Sequence, residues 1–317
     1  MSLRVLSPGA YSLVVDGGRP RTRGLGVPVG GPADVASLAL GNALVGNPPF
    51  ATALEITLAG PTLMTDADVG VCLFGAPFQI HRDGDPIPPG HTFTLRAGQT
   101  LRIGGTPAGC RAYLCVPGGF RVAKVLNSST RFDPVRAGEV LDCSPSQLPG
   151  RSLGWGQSGT PCDLPEPEGD RSEKTEENES GPVLLHCLPG PQADWFDSSF
   201  LAHSYRVTPA SNRMGVRLDG PPLALPNREL VSEAVAPGAV QITNDGKPII
   251  LGVDGQTIGG YPKVAHVISA DLDALGQLRP GDEVRFTIVK EDEAEAATAF
   301  RRDRLRKWLR RIDLFAA

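Results

Sequence analysis

No stretch of this 317-residue chain offers the roughly 20 consecutive apolar residues that a membrane-spanning helix needs. The amino terminus, "MSLRVLSPGAYSLVV", lacks a basic start, a continuous apolar core and a small-residue cleavage site, so the expected address is the cytoplasm, with no membrane partner. An excess of basic charge is missing too. The 31 Lys and Arg stand against 35 Asp and Glu, a formal charge of −4 that gives no footprint for nucleic acid. Cysteines are few and scattered. Cys72, Cys110, Cys115, Cys143, Cys162 and Cys187 form no C-x-x-C pair, and most sit in apolar runs such as "AYLCV" and "LLHCL", which reads as buried reduced thiols. The five histidines (His81, His91, His186, His203, His266) show no H-E-x-x-H or paired spacing, so no metal is inferred, and there is no G-x-S-x-G elbow.

Glycine and proline, by contrast, are abundant: 38 and 30 residues, spread along the whole chain. That distribution describes many short elements joined by tight turns, and with 40% hydrophobic residues to fill cores it predicts a globular all-β protein. Runs such as "YSLVVD", "VGVCLFG", "TFTLRAGQTLRIGG" and "RAYLCVPGG" are short and β-branched or alternating, and the same style returns in "PVLLHCLPG", "AVQITNDGKPIILGVDG" and "EVRFTIV". "TNDGKPII" is a hairpin signal, because Asp-Gly suits the positive φ angles of a type I′ turn. Between these halves, "DLPEPEGDRSEKTEENE" carries eight acids, two basic residues and one apolar side chain; it is expected to be a linker or long surface loop.

Two helices are expected within this pattern. "GPADVASLALGNALVG" has Asp34 to cap its start, an Ala/Leu-rich interior and Gly46 to end it. The tail from Glu291 has an acidic first turn and basic later turns, and Leu305, Trp308, Leu309, Ile312 and Phe315 share one face that should dock on the body. Seven basic residues between Arg301 and Arg311 form the opposite, solvated face; a membrane or partner surface is the alternative.

Several places concentrate chemistry. In "VVDGGRPRTRGLGVPVGGPAD", Asp16 ends a strand and is followed by Gly17, Gly18, Arg19, Arg21 and Arg23. This is either an oxyanion-binding loop of accessible N–H groups and forked donors or a surface turn with exposed arginines. Glu55 lies inside the apolar run "ALEITLAGP", where it is either a buried, paired acid or a solvent-facing alternation position. Asp34 and Asn42 accompany the first helix. Ser211, Asn212 and Arg213 precede a later strand, and "DGQTIGGYPK" brings Gln256, Thr257, Gly259, Gly260, Tyr261 and Lys263 together. Its paired glycines let a ligand approach the main chain and Lys263 supplies a compact cation, but the Walker pattern is absent.

Taken in order, "VVDGGRPRTRGLGVPVGGPAD", "GNALVGNPPFATALEITLAGP", "RAYLCVPGGF", "LPGPQADWF", "SNRMGVRLDGPPL", "SEAVAPGAVQITNDGKPIILGVDGQTIGGYPK" and "VISADLDALGQLRPGDEVRF" resemble the carboxyltransferase-domain family. That family contains the C subunit of 5-oxoprolinase, allophanate hydrolase subunit 2 and the carboxyltransferase domain of urea carboxylase. The resemblance implies two cyclophilin-like β-barrel subdomains, at 1–160 and 182–290, separated by the acidic segment at 161–181 and followed by a helix at 291–317, with strand exchange between subdomains allowed. It implies an active site shared between the subdomains. The activity it implies is ATP-dependent hydrolysis of the 5-oxoproline lactam to glutamate, carried out with partners like the A and B subunits of 5-oxoprolinase and absent from this chain alone. Two alternatives come with the family: a regulatory binding protein that opposes a kinase inhibitor, and a carboxyltransferase moving a carboxyl group from biotin to urea or a similar amide. The chain has no Met-Lys biotinylation motif, so biotin would come from another chain.

The positions that match the family are Asp16, Arg19, Glu55, Arg213 and Lys263, implied to be catalytic. Gly18 also falls in the first motif. Asp34, Asn42, Ser211, Gln241, Gln256, Thr257, Gly259, Gly260 and Tyr261 are implied to bind substrate. Three departures stand out. Val15 replaces a usual Gln; "LNSSTRFDPVRAGEVL" has Asn127 for Gly, lacks an Arg before Ser129 and lacks a glycine-rich loop; and Gly255 replaces a large residue.

Overall fold

The computed structural model describes residues 1–153 and 181–316. Residues 161–180 of the acidic segment, and Cys162 with them, lie outside the described residues. The chain divides into two compact units: unit 1 takes Met1–Arg19, Gly30–Ser172 and Arg304–Ala317, and unit 2 takes Pro20–Val29 and Glu173–Asp303.

The strands of unit 1 are β1 (Ser2–Ser7), β2 (Tyr11–Val15), β3 (Ala53–Thr57), β4 (Thr62–Thr65), β5 (Val69–Gly75), β6 (Ile80–Arg82), β7 (Asp85–Ile87), β8 (Thr92–Leu95), β9 (Thr100–Ile103), β10 (Arg111–Cys115) and β11 (Val140–Asp142). They form two antiparallel sheets, ordered β11-β1-β4-β9-β6-β7 and β2-β3-β10-β5-β8. Alternation explains how the sheets share a core. Leu3, Val5, Leu63, Leu101 and Ile103 of the first sheet meet Val14, Leu54, Ile56, Leu73 and Leu114 of the second in one buried cluster.

The other face of the second sheet is covered as well. Helix α1 (Val35–Leu44) is buried along its length from Ala36, and its Leu38, Leu40, Ala43 and Leu44 pack on Leu13, Val15, Cys72, Phe74, Tyr113 and Cys115. A helix that is apolar on all sides belongs in such a place. Because both faces are covered, β5 and β10 are buried at every residue and read as continuous apolar runs. Val15 is 0% exposed in this cluster, so a valine there completes a core rather than leaving a polar site unmet.

Unit 2 contains β12 (Val183–Pro189), α2 (Ser199–Ala202), β13 (Tyr205–Val207), β14 (Gly215–Asp219), β15 (Glu233–Ala234), β16 (Ala239–Ile242), β17 (Pro248–Leu251), β18 (Ile258–Gly259), β19 (Lys263–Val267), α3 (Leu272–Gln277), β20 (Glu283–Ile288) and the start of α4 (Glu291–Ala316). Seven strands close a barrel in the order β12-β19-β16-β17-β14-β13-β20, sealed by the parallel pair β12 and β20. Leu185, Val216, Leu218, Val240, Ile242, Ile250 and Phe286 fill its interior. The hairpin expected at "TNDGKPII" joins β16 to β17, but its loop differs from a type I′ turn. Only Gly246 has positive φ, at 76°, and Thr243 and Lys247 close a longer connection.

In α4, Trp308 and Ile312 are buried against the α1 cluster, with Leu305 and Leu309 packed beside them. The side chain of Phe315 lies outside the described ones. Arg302, Arg306, Lys307 and Arg310 are exposed, as a solvated basic face requires, while Arg301 pairs with Asp273. Among the described residues no helix is long and apolar enough to cross a membrane. The five described cysteines are buried and free, and burial pushes the Cys72 thiol up to about 12 and that of Cys143 up to about 11.

Leu54 sits at the centre of the inter-sheet core of unit 1 with no exposed surface. Leu54→Ala is expected to lower stability by about 2–5 kcal/mol, read as a fall in the denaturant midpoint at an unchanged slope.

Candidate functional site

In unit 1, Asp16 follows the last residue of β2 and its carboxylate is encircled by donors. Gly18 N donates to Oδ1 at 2.9 Å, Ser129 N to Oδ2 at 2.7 Å and Thr130 Oγ1 to Oδ1 at 2.9 Å, and the Ser128 hydroxyl adds a short bond to Oδ1. Partial burial pushes this carboxyl up, but the bonds from Ser128, Ser129, Gly18 and Thr130 outweigh it and hold the pKa below the ordinary aspartate value. Three of these four donor residues, Ser128, Ser129 and Thr130, come from the segment in which the family motif is altered. Leu126 and Asn127 have φ of 52° and 63° in the turn that closes Val125 onto Ser128. Asparagine tolerates that left-handed conformation, which is how Asn127 stands where the family has Gly.

Arg19 is 1% exposed, not a surface arginine. Its Nε donates to Val125 O at 3.1 Å, its Nη2 donates to Thr130 O, and the Phe132 ring lies 4.3 Å from the guanidinium carbon. The guanidinium therefore clamps the 125–132 segment around Asp16. Ser128, Ser129, Thr130 and Phe132 are residues that motif reading passed over. Their signal was the "NSST" run, but its distance from Asp16 in sequence hid the contact.

Glu55 is 0% exposed, which settles its reading as a buried acid. Its neighbours Leu54 and Ile56 fill the inter-sheet core, so Glu55 points to the α1 face. There Oε2 accepts from Ala33 N and from Tyr113 Oη, each at 2.9 Å, while Arg111 Nε lies 3.5 Å from Oε1. Tyr113 in turn accepts from Asp34 N at 2.8 Å. Burial first, then the charges of Glu55 and Asp34, raise the Tyr113 phenol well above its ordinary value and keep it a donor. Asp34 caps α1 through Ser37, whose N donates to Oδ1 at 2.9 Å and whose hydroxyl donates to Oδ2 at 2.6 Å. Asn42 Nδ2 donates to Ala51 O at 2.9 Å and so ties the loop after α1 to the helix.

In unit 2, Arg213 is 6% exposed and holds Asp254 in a two-pronged pair, Nε to Oδ2 at 2.6 Å and Nη2 to Oδ1 at 3.0 Å. Ser211 Oγ accepts from Arg217 N at 3.0 Å inside the turn before β14. Lys263 is 6% exposed, and its Nζ makes an ion pair with Glu233. Gln192 braces both: its Oε1 accepts from Lys263 N at 3.0 Å and its Nε2 donates to Glu233 Oε1 at 2.9 Å. The bonds from Lys263 and then Gln192 hold the Glu233 carboxyl below its ordinary value. Thr257 accepts at its carbonyl from Val235 N at 3.0 Å, which fixes the β15 and β18 ribbon. Gly255 leaves no room for the family's large residue, because a Cβ there would lie 2.9 Å from both Gly252 O and Met214 O. Arg23, which belongs to unit 2, donates from Nη2 to Val235 O and, at 3.1 Å, to Gln256 O.

Gln241, Gln256 and Tyr261 are brought together with Asn212, Met214 and Arg217 around a pocket of about 160 Å³. Gly259 lies against the first two, whereas Ser211 and Lys263 are not among the lining residues, and Gly260 faces Ser232. Among the described residues no three His, Cys, Asp or Glu side chains gather to hold a metal ion.

The Asp16 carboxylate gives a pH test. Its folded pKa is depressed, so its contribution to stability is present above the unfolded value near 3.8 and fades as pH falls through the folded value. Asp16→Asn is expected to be less stable than the parent at pH 7, with the gap closing below about pH 4 in thermal melts.

The family described as carboxyltransferase domain, subdomain A and B, matches residues 25–288. The 5-oxoprolinase C subunit of Escherichia coli is 34% identical over 302 residues, which are 92% of this chain and 93% of that protein. Urea amidolyase of Saccharomyces cerevisiae is 30% identical over 90% of this chain, which spans only 16% of that protein. The crystal structure of Kluyveromyces lactis urea carboxylase superposes with a TM-score of 0.82 at 27% identity, over 97% of this chain and 29% of its own. With ordered motifs, mainly-β units and these likenesses in agreement, the chain belongs to the carboxyltransferase-domain family that includes the C subunit of 5-oxoprolinase.

Proposed function

We propose that this chain is one component of an ATP-dependent 5-oxoprolinase complex, converting 5-oxoproline, ATP and water to glutamate together with partners like the A and B subunits of 5-oxoprolinase. The observation that carries this reading is mutual coverage: this chain and its Escherichia coli 5-oxoprolinase relative match over more than nine-tenths of each other, whereas it spans only a minor part of the urea enzymes. Lactam hydrolysis needs preorganised donors for a carbonyl oxygen that gains charge. In unit 2 the amides of Gln241 and Gln256 bring neutral donors, while Lys263 and Arg213 are held in ion pairs with Glu233 and Asp254. Arg19, Glu55, Asp34 and Asn42 have polar atoms engaged within the chain, and in this reading they position Asp16 and α1 rather than touch substrate. ATP is assigned to the complex as a whole.

The likeness to urea carboxylase supports a second reading, carboxyl transfer to urea or a similar amide from biotin carried by another chain. The two separate in one assay. Co-expressed with its partners, the complex is expected to release glutamate from 5-oxoproline only with ATP; an intact complex without 5-oxoproline-dependent turnover refutes the hydrolase reading. Lys263→Met keeps the apolar stem packed and leaves the half-exposed Glu233 to water, so folding should persist. Turnover in that variant is expected to fall by about tenfold or more while the melting temperature stays within a few degrees.

A further inference from the structure

Three residues on adjacent strands of unit 2 stand in register: Arg217 of β14 opposite Ile249 of β17, and Ile249 opposite Gln241 of β16. Val216, Leu218, Val240 and Ile242 fill the barrel interior, so the alternation of each strand turns Arg217 and Gln241 to the outer face. All three line the pocket, which thus presents a row of cation, apolar surface and amide.

Gln241 is the anomaly in that row. It is 1% exposed, and its Nε2 has no hydrogen-bond partner among the described residues. Buried amide donors are rarely left unmet, so an unsatisfied one in a pocket wall marks a place where a ligand atom belongs. A second amide meets it there. A Cβ on Gly259 would lie 2.7 Å from Gln241 Nε2 and 2.8 Å from Gln256 Nε2, so the two nitrogens converge over a position that only glycine leaves open. Met214 and Leu251 extend the apolar wall beside Ile249. The Arg217 side chain is exposed, with no ion pair to any described residue.

We propose that this pocket recognises a small cyclic amide bearing a carboxylate. Its carbonyl oxygen accepts from the Gln241 and Gln256 amides, its ring lies on Ile249 and Leu251, and its carboxylate faces Arg217. Two strand spacings separate Arg217 from Gln241, about 10 Å at the backbone. Both side chains rise from the same outer face, so a ring lying over Ile249 can meet the Gln241 amide on one side and, through the long Arg217 side chain, a guanidinium on the other. The proposal deepens the 5-oxoprolinase reading and rests on it for the choice of ligand; Arg217 and Gln241 act here as specificity-determining residues.

Binding to the full chain is measured by titration calorimetry or ligand-observed NMR with three probes: L-5-oxoproline, pyrrolidin-2-one without the carboxylate, and L-proline without the ring carbonyl. L-5-oxoproline is expected to bind about tenfold or more tighter than either. Arg217→Ala should reduce it to the level of pyrrolidin-2-one, and Gln241→Leu or Gly259→Ala to the level of L-proline. In the assembled complex the same substitutions should raise KM for 5-oxoproline by a similar factor. Arg217 is exposed, so its variant tests the site even if a Gln241 variant fails to fold. Failure of all three probes to bind overturns the pocket, as do unchanged affinity and KM in Arg217→Ala, even where the complex hydrolyses 5-oxoproline. A complex without 5-oxoproline turnover, in a chain whose binding of the carboxylated lactam still falls in both variants, refutes the hydrolase reading and upholds the pocket.

Discussion

A carboxylate with no access to water must be met by donors, and Glu55 imposes that condition on the middle of unit 1. Its strand neighbours commit it to the α1 face, and the bonds from Ala33 N and Tyr113 Oη then fix where the chain must enter the helix. Tyr113 accepts from Asp34 N, and Asp34 caps the helix through Ser37, so one buried charge sets the start of α1 against β3 and β10. The helix in turn lets β5 and β10 be apolar on both sides, since it covers Cys72, Phe74 and Cys115. Removing the acid would therefore disturb more than a single contact.

The polar residues of the two units are used differently. Around Asp16 the bonds close on themselves: the carboxylate takes four donors, and Arg19 fastens the segment that supplies three of them. Such a closed network rigidifies a loop. In unit 2 the strong charges are likewise paired, Arg213 with Asp254 and Lys263 with Glu233. Among the described residues the neutral amide of Gln241 is left unmet, and it shares its row with Arg217, which has no ion partner there. Unit 2 therefore combines a braced frame with an unmet donor in a pocket wall, the arrangement on which the proposed recognition row relies.

Much of the architecture was legible from local pattern. Asp34 was readable as a cap, the Ala/Leu-rich stretch as a buried helix, and the stripe through Trp308 and Ile312 as a docking face, because each depends on residues within a few positions of one another. The departures from the family motif were visible as letters but not as physics. Val15 is core, Asn127 fits a left-handed turn and Gly255 is walled in by two carbonyls; each follows from packing that spacing does not encode. The Asp-Gly signal placed the β16 and β17 hairpin correctly but not the geometry of its turn, since the neighbouring strands decide how long the connection must be.

By itself the sequence determined the β class, the first and the last helix and membership of the family, because turn residues, hydrophobic period and ordered motifs are local properties of a chain. The tertiary structure alone decided what those residues touch. Asp16 meets Ser128 at a separation of 112 residues, and Arg213 meets Asp254 at 41. Arg217, Ile249 and Gln241 share a row only because three strands pair in one register. Register is set by the closure of the barrel as a whole, and no window of sequence contains it.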